Sequence, residues 1–415
     1  PQGTDYVKAL LEFAEGKAIE TPEHEGYLAV AVANAWGQDK LPLAERVAWV
    51  EDNEEMLQEV AADPLNDLRW TKADEPFMAL RGALEWAGLC AYGPGYVSHM
   101  PVHFDATCSG LQHFSALLLD DEGGFHVNLT GCEERQDIYL AVAKKAEETL
   151  KSEADTCDIA RIALEMGVTR SLCKRPVMIV PYAGTFSACM DYVFDYYKDQ
   201  VAAGVELPVE LSYIRSKVSP LVAKHVWDAI NNTVIAARDA MDWITATARV
   251  TSKGSTTPIQ WTTPDGFIVQ QAKFEETEQR IKTTLDGGIR VRSTIVNRTS
   301  KLDPRKMAQS LSPNYIHSLD ACHMRMAIRR AEGMGMSFAM IHDSFGVHAA
   351  DMPVFAEECI KPAFVEMYED GQNLERFRQE IMLNVAEENA EKVKALPEAG
   401  NLDINGVLES QFFFS

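Results

Sequence analysis

The sequence lacks the features that mark membrane, secreted and zinc-binding proteins. It has no run of about 20 uncharged apolar residues that could span a bilayer. No basic segment followed by an apolar run opens the chain, so no signal peptide is indicated. The eight cysteines are scattered singly without a CxxC pair, which argues against a zinc site and a disulfide framework. These absences predict a protein of the reducing cytoplasm.

Positive charge is also scarce, which weakens the case for a nucleic-acid partner. Lys and Arg total 39 against 62 Asp and Glu, a net charge of −23. Binding to phosphates depends on clustered cations, so the distribution of charge matters more than its sum. Acidic residues dominate 44–66 and 366–398, which we predict to be solvated helix faces. Basic residues gather at 161–175 and 280–306, and these two segments are the candidate contacts for a polyanion.

The chain is long enough for two or three subdomains, with 415 residues of which 46% are hydrophobic and 24% charged. Apolar spacing predicts amphipathic helices at 5–15, 43–61 and 75–88, a helix around 110–119, helices to about 246, and further helices at 304–332 and across 353–390. Short strands separated by TTPDG and LDGG turns are predicted between 248 and 296. The pattern indicates a mostly helical α+β protein with a small antiparallel sheet.

Two aspartates lie at the ends of predicted apolar strands. PVHFD predicts a strand that ends at Asp105, and SFAMIHDSFGVHA predicts two strands with a polar tip at His342-Asp343-Ser344. A turn or helix cap is the ordinary role of such an aspartate, and this interpretation stays open for each. Two carboxylates about 4 Å apart repel by roughly 4 kcal/mol at an effective dielectric of about 20, and a divalent cation removes that cost. Oxygen ligands favour magnesium.

A basic segment, GVTRSLCKRPVMIVPYAG (167–184), supplies the complementary charge. Arg170 and Lys174 share a helix face, and Met178 and Tyr182 continue that row. Two cations followed by an aromatic ring suit a triphosphate followed by a base or sugar. A solvated basic helix edge is the alternative interpretation.

These segments together resemble a known family. FDATCSGLQHFSALLLDDEGG, GVTRSLCKRPVMIVPYAG and AMIHDSFG resemble, in this order, motifs A, B and C of the single-subunit RNA polymerases of T-odd bacteriophages and mitochondria. The resemblance continues through QDIYLAVAKKAEETL, WTTPDGF, SPNYIHSLDACHM and the aromatic C-terminus, so it covers nearly the whole chain. It implies RNA synthesis from NTPs on double-stranded promoter DNA with two Mg²⁺ ions. It further implies a monomer without membrane attachment, in the host cytoplasm if phage-encoded.

The resemblance also implies a right-hand polymerase fold like that of family A, with a mostly helical palm and fingers and a small antiparallel palm sheet. The palm is expected at 1–121 and 319–415 and the fingers at 122–318. The chain begins at Pro1, inside the palm region of the family. We therefore expect the thumb and the N-terminal promoter- and RNA-handling domain to be absent.

Metal and phosphate ligands follow from the resemblance position by position. Asp105 and Asp343 match the two metal-binding carboxylates, with the carbonyl of Ala106 as a candidate extra ligand. Arg170 and Lys174 match the cations that hold the incoming triphosphate. Lys174 is also the candidate proton donor to the pyrophosphate leaving group.

A nucleotide pocket is implied in the same way. Tyr182 matches the tyrosine that helps to select the ribose, and Tyr139 and His317 match residues that shape the pocket. His342 and Ser344 flank the second aspartate as in the family. A buried structural histidine at His317 and a simple core tyrosine at Tyr139 are the alternatives.

A promoter-specificity hairpin is expected at about 273–303. Its candidate DNA contacts are Arg280, Lys282, Arg290 and Arg292, since arginine commonly reaches guanine in the major groove. Phosphate contact without sequence recognition is the alternative.

The sequence departs from the family around the motif B tyrosine. Phage members usually have glycine directly after it, whereas here Ala183 precedes Gly184. Pro176 and Pro181 are unusual as well, and each removes a helix hydrogen bond. The helix is therefore predicted to kink or end before Tyr182, and the position of that ring decides the strength of ribose selection.

Two rival hypotheses remain open on the sequence alone. A family A DNA polymerase shares the two-aspartate chemistry, but it places a glutamate five residues after the first aspartate, where this chain has Gly110. Such enzymes also usually follow the second aspartate with glutamate, where this chain has Ser344. The other rival is a truncated remnant that binds DNA without extending a primer.

Overall fold

The computed structural model describes residues 13–39, 41–132, 134–383 and 385–414. Within these residues the protein is mostly helical with four small antiparallel sheets, which confirms the predicted α+β class. The strands in chain order are β1 Lys17–Ile19, β2 Tyr96–Ser98, β3 Pro101–Asp105, β4 Ile259–Thr262, β5 Ile268–Gln271, β6 Phe274–Thr284, β7 Arg290–Leu302, β8 Phe338–Ile341 and β9 Ser344–His348.

The helices vary from single turns to thirty residues. In chain order they are α1 Pro22–Ala35, α2 Leu43–Asp52, α3 Glu54–Ala62, α4 Pro76–Tyr92, α5 Ser109–Leu117, α6 Asp121–His126, α7 Ile138–Glu153, α8 Asp158–Met166, α9 Arg170–Met178, α10 Phe186–Ala202, α11 Leu211–Tyr213, α12 Ser219–Asn231, α13 Ile235–Ser252, α14 Pro304–Gly333, α15 Met352–Val354, α16 Lys361–Tyr368, α17 Asn373–Met382, α18 Glu387–Ala390 and α19 Gly406–Glu409. Short 3₁₀ turns at Arg69–Lys72 and Val180–Tyr182 and π-helical segments at Ile214–Val218 and Phe355–Ile360 complete the list.

The contacts divide the chain into two compact units. The first unit contains the described residues up to Ala106, His323–Phe364 and Phe414. The second unit contains Thr107–Cys322 and Val365–Phe413. Each unit is therefore built from stretches that lie far apart in the sequence.

The first unit has a three-stranded sheet in the order β3-β9-β8. Val102 lies opposite Val347 and Phe104 opposite Phe345, so four apolar side chains share one face of the sheet. All four are buried. Asp105 belongs to the other face, because side chains alternate along a strand.

The second unit is organised around helices and an aromatic core. Trp261 of β4, Tyr315 of α14 and Phe377 of α17 pack together, with ring centroids 4.1 Å apart for Tyr315 and Phe377. The indole N–H of Trp261 donates to the hydroxyl of Ser318, 2.9 Å away. These contacts anchor the long helix α14 at its middle.

Most predicted elements are present, with differences at their boundaries. The strand at 101–105, the hairpin at 337–349 and the helix at 304–332 are confirmed. The single helix predicted over 43–61 is wrong, because Asn53 separates α2 from α3. Strands predicted from 248 begin only at Ile259, since α13 continues to Ser252.

The N-terminal helix prediction fails where it can be compared. Residues 5–12 of the helix predicted at 5–15 lie outside the described residues. Residues 13–15 form a turn in which Ala14 has a positive φ of 51°. The following Gly16 also has a positive φ, of 77°, and β1 begins directly after it. Left-handed backbone at two nearby positions is incompatible with a continuing right-handed helix.

No helix in the described part of the chain is both long enough and apolar enough to cross a membrane.

Candidate active site

Strand pairing in the first unit brings the backbones of Asp105 and Asp343 together. Asp105 lies opposite Ser344 in the antiparallel register of β3 and β9. The N–H of Ala106 donates to the carbonyl oxygen of Asp343, 3.1 Å away. Asp343 occupies the turn between β8 and β9, where His342 has a positive φ of 55°. Asp105 is exposed and Asp343 is half-buried, so both residues are at least partly accessible to solvent.

The residues beside the two aspartates fix this end of the sheet. The hydroxyl of Ser344 and Nδ1 of His103 are hydrogen-bonded at 3.4 Å. Burial lowers the pKa of His103, although the Asp105 charge opposes this effect. A Cβ added at Gly346 would lie 2.5 Å from the Ala339 carbonyl oxygen and 2.5 Å from the His103 ring. Glycine is therefore required there for β9 to lie between its neighbours.

The chemistry of this pair fits a magnesium site of the open kind. No group of three His, Cys, Asp or Glu side chains that could enclose a metal is found among the described residues. Two carboxylates at adjacent strand ends supply hard oxygen ligands, and Mg²⁺ usually keeps waters and substrate phosphates in its remaining positions. Asp105 and Asp343 fit such a site, whereas a closed structural site needs more protein ligands.

The second unit contains the basic segment 167–184, in which Arg170 contacts two neighbouring side chains. Thr169 caps α9 by accepting a hydrogen bond from the Leu172 N–H at 3.2 Å, so Arg170 begins the helix. Nε of Arg170 forms an ion pair with the carboxylate of Asp137. Its guanidinium carbon also lies 5.2 Å from the ring centroid of Tyr139, a cation–π distance. Lys174, one turn further along α9, is exposed.

Asp137 is a residue that the sequence interpretation missed. Its Oδ1 caps α7 by accepting from the Leu140 N–H at 3.0 Å, while Oδ2 pairs with Arg170. The signal that could have found it is an aspartate immediately before an apolar helical run, the usual N-cap pattern. Tyr139, on the first turn of the same helix, is 9% exposed, and burial raises the pKa of its hydroxyl strongly.

Tyr182 stacks on His317 in the same unit. Their ring centroids are 4.6 Å apart and their planes are inclined by 14°. Helix α9 ends at Met178 before this tyrosine, as predicted from Pro176 and Pro181. A 3₁₀ turn then contains Tyr182. Ala183 follows with a left-handed φ of 60°. Tyr182 is 37% exposed, so part of this residue is accessible to solvent.

Gly110 lies against this aromatic pair. A Cβ added to Gly110 would lie 2.7 Å from Cβ of Pro181 and 3.1 Å from the Tyr182 hydroxyl. Any side chain at Gly110 would therefore displace Pro181 or Tyr182. The sequence singled out this glycine only by comparison with DNA polymerases, and the structure adds the steric reason for it.

The predicted hairpin is formed by β6 and β7, and its cations share one face. Lys282 lies opposite Arg292, Arg290 opposite Thr284 and Arg280 opposite Thr294. Because alternate residues point to the same face, all four cations lie on it together, and all four are exposed. The cationic face also carries Glu276, Glu278 and Arg298, and Nη2 of Arg280 lies 3.9 Å from Oε2 of Glu278, so this face is mixed in charge with an excess of cations. Between Thr277 and Asn297 the other face is uncharged and carries Thr277, Gln279, Ile281, Thr283, Val291, Ser293, Ile295 and Asn297.

The candidate residues fall into the two units as two groups. Asp105, Ala106, His342, Asp343 and Ser344 belong to the first unit. The second unit holds the remaining candidates, which are Gly110, Tyr139, Arg170, Lys174, Tyr182, His317 and the four hairpin cations.

Comparison with known proteins identifies the family. The family model described as DNA-dependent RNA polymerase matches residues 21–395. The chain is 34% identical over 457 residues to the DNA-directed RNA polymerase of Enterobacteria phage T3, covering 100% of this chain and 51% of that protein. The T7 RNA polymerase of Escherichia phage T7 gives the same identity and coverage.

A mitochondrial relative extends the likeness beyond phages. The mitochondrial DNA-directed RNA polymerase of Schizosaccharomyces pombe is 31% identical over 449 residues, which cover 99% of this chain and 38% of that protein. The chain thus spans about half the length of its phage relatives and less of its mitochondrial one. The family predicted from the three motifs is confirmed, and the chain belongs to the DNA-dependent RNA polymerase family, in the single-subunit type of phages and mitochondria.

Proposed function

We propose that this chain catalyses DNA-templated RNA synthesis, the transfer of a nucleotidyl group from an NTP to an RNA 3′-hydroxyl. The observation that supports the proposal is the pairing of β3 with β9, which brings the backbone of Asp105 at the end of β3 beside that of Asp343 in the turn before β9, in a member of this family. Its partners would be double-stranded promoter DNA, the RNA product and NTPs, with the chain acting as a monomer.

The first unit would hold two Mg²⁺ ions through Asp105 and Asp343, with the Ala106 carbonyl as a further ligand. Magnesium bound there would lower the pKa of the RNA 3′-hydroxyl and neutralise charge on the triphosphate. The strand register would hold the backbones of both aspartates in place before substrate binds. His342 and Ser344 would maintain the geometry of the tip that carries Asp343.

The second unit would bind the incoming nucleotide. Arg170 would contact the triphosphate through its Nη groups, because its Nε is paired with Asp137. The exposed Lys174 would stabilise negative charge on the phosphates and donate a proton to the departing pyrophosphate. Tyr139 would hold the Arg170 guanidinium over its ring.

The sugar would be recognised beside Tyr182, His317 and Gly110. His317 supports the tyrosine ring from one side, and the exposed part of the ring would contact the nucleotide. The space at Gly110 is taken by Pro181 and the Tyr182 hydroxyl, so the glutamate by which DNA polymerases block a 2′-hydroxyl has no room. This observation favours an RNA polymerase over a family A DNA polymerase.

We assign 1–121 and 319–415 to a palm and 122–318 to fingers of a right-hand polymerase fold. An interrupted palm is supported by the first unit, which also combines two separated stretches around a small antiparallel sheet. The hairpin β6–β7 would contact promoter DNA through its cationic face, which carries Arg280, Lys282, Arg290 and Arg292.

Extension of a preformed RNA–DNA hybrid tests the proposal. The chain is incubated with hybrid, Mg²⁺ and NTPs, and the product is measured for the parent and for Asp343→Asn. We expect templated addition of ribonucleotides by the parent alone. Hybrid binding without extension by the parent would instead support the hypothesis of a DNA-binding remnant.

A further inference from the structure

Beneath the aromatic pair of the second unit lies a buried cluster of three titratable side chains. His113 of α5 is 1% exposed, Asp320 of α14 is 6% exposed and Tyr368 of α16 is 1% exposed. A buried carboxylate is costly unless it is paired and hydrogen-bonded. None of the roles proposed above uses these three residues, so their presence in the core calls for a separate explanation.

The three side chains are linked in the order Tyr368, His113, Asp320. Nδ1 of His113 lies 2.7 Å from the Tyr368 hydroxyl, and Nε2 lies 3.5 Å from Oδ1 of Asp320. Burial raises the pKa of Tyr368 well above its ordinary value, so the hydroxyl keeps its proton and can donate it to Nδ1. The Nε2–H of the imidazole then faces the Asp320 carboxylate. His113 thus connects α5 to both α14 and α16.

His113 and Asp320 lie one helical turn from Gly110 and His317, the residues beside Tyr182 in the proposed nucleotide pocket. His113 follows Gly110 by three residues on α5, and Asp320 follows His317 by three residues on α14. Residues three apart lie on one face of a helix. Gly110 and His317 both lie beside Tyr182, since a Cβ added to Gly110 would fall 3.1 Å from the tyrosine hydroxyl and the His317 ring stacks on the tyrosine ring. One turn further along the same two helices, His113 and Asp320 contact each other.

We infer that His113 and Asp320 are positioning residues for sugar recognition, which hold α5 and α14 at the separation that Tyr182 needs. If the lower layer loosened, α5 and α14 could separate. The Tyr182 hydroxyl would then move away from Gly110, and the tyrosine ring would lose its stack on His317. Discrimination between ribose and deoxyribose depends on that hydroxyl, so it would fall even though neither positioning residue touches the nucleotide. This inference rests on the proposed function.

The test compares kcat/KM for single additions of ATP and dATP to a preformed RNA–DNA hybrid. His113→Leu removes both hydrogen-bonding nitrogens, and His113→Gln retains an amide N–H near the position of Nε2. In H113L we expect the ATP to dATP ratio to fall by about threefold, less than the loss expected on removing the Tyr182 hydroxyl itself. In H113Q the ratio should return towards the parental value. Asp320→Asn provides a second variant if H113L does not fold.

His225 supplies a matched control in the same unit. Its Nδ1 lies 2.8 Å from the Thr149 hydroxyl, its Nε2 lies 3.5 Å from Oε2 of Glu153, and the residue is 5% exposed. His225→Leu therefore removes a histidine of similar burial and pairing away from the pocket. General destabilisation lowers the active fraction for both nucleotides equally, so H225L should leave the ratio unchanged.

The outcomes separate this inference from the proposed function. A parent chain that adds neither nucleotide contradicts the proposed function itself. A parent that extends the hybrid, together with a parental ratio in folded H113L and D320N, overturns the positioning role alone. An equal fall in H225L would also overturn it, because the effect would then belong to any buried histidine of this unit.

Discussion

The two groups of candidate residues are held by different kinds of interaction. In the first unit, backbone hydrogen bonds of a sheet set the positions of Asp105 and Asp343. In the second unit, side-chain contacts set the positions of Arg170 and Tyr182, through Asp137, Tyr139 and His317. A carboxylate in the sheet can therefore be replaced without moving its neighbours. Replacement of a residue in the second unit alters the contacts that hold the pocket together.

The largest expected effect is loss of catalysis without loss of stability in the first unit. Asp105→Asn and Asp343→Asn keep the shape of the side chain but remove the charge that would bind magnesium. Each should lower hybrid extension by about 10³-fold or more, while the thermal unfolding midpoint stays at the parental value. The exposed Asp52→Asn is the control. Near-parental extension by either variant would overturn the assignment of metal ligands.

A smaller but still large effect is expected at Lys174. Lys174→Ala removes a cation proposed to act on the triphosphate, so extension should slow by about 10²-fold while hybrid affinity changes little. Arg175→Ala removes the neighbouring exposed cation and serves as the control. If K174A bound the hybrid more weakly and kept its kcat, Lys174 would belong to a template groove instead.

The cationic face of the hairpin should contribute to DNA affinity. The double change Arg290→Gln and Arg292→Gln should reduce the slope of log affinity against log salt by about one for each phosphate that the two arginines neutralise. Lys198→Gln, an exposed cation on α10, is the control. An equal decrease in affinity for all DNA sequences would indicate phosphate binding, and a decrease confined to one sequence would indicate base recognition. An unchanged slope and affinity would remove the hairpin from the DNA interface.

The smallest effect is expected for Tyr182→Phe, which removes only the hydroxyl beside Gly110. One hydrogen bond contributes about 1 kcal/mol, so discrimination against dNTPs should relax by roughly fivefold. The measurement is the ratio of kcat/KM values for ATP and dATP, with Tyr192→Phe as the control. An unchanged ratio would mean that the turn at Ala183 has moved the hydroxyl out of this role.

The difference between the units also explains what could be predicted from the sequence. The strand ending at Asp105 and the hairpin carrying Asp343 follow local patterns, an apolar run that ends in polar residues, and both were predicted correctly. The pairings of Arg170 with Asp137 and of His113 with Asp320 join residues on different helices, and no local pattern specifies them.

Helix α1 shows another limit of local patterns. Its segment LAVAVANA is buried almost throughout, so it lacks the alternation of polar and apolar residues by which an amphipathic helix is predicted. The strands β6 and β7 show the opposite case. The local pattern with its LDGG turn predicted β7, whereas the charged residues of β6 hide its strand pattern, and only the resemblance to the family predicted that the two form one hairpin.

The first unit is proposed to bind the metal and the second unit the nucleotide. Measuring metal affinity and nucleotide affinity separately in the same variants tests this assignment most directly. Mn²⁺ affinity is measured by electron paramagnetic resonance, and ATP affinity without divalent metal by calorimetry, for the parent, D105N, D343N and K174A. We expect Mn²⁺ affinity to fall about tenfold or more in D105N and D343N but not in K174A. ATP affinity should fall in K174A and not in the two aspartate variants. Parental Mn²⁺ affinity in both aspartate variants would contradict the assignment of the first unit as the metal site.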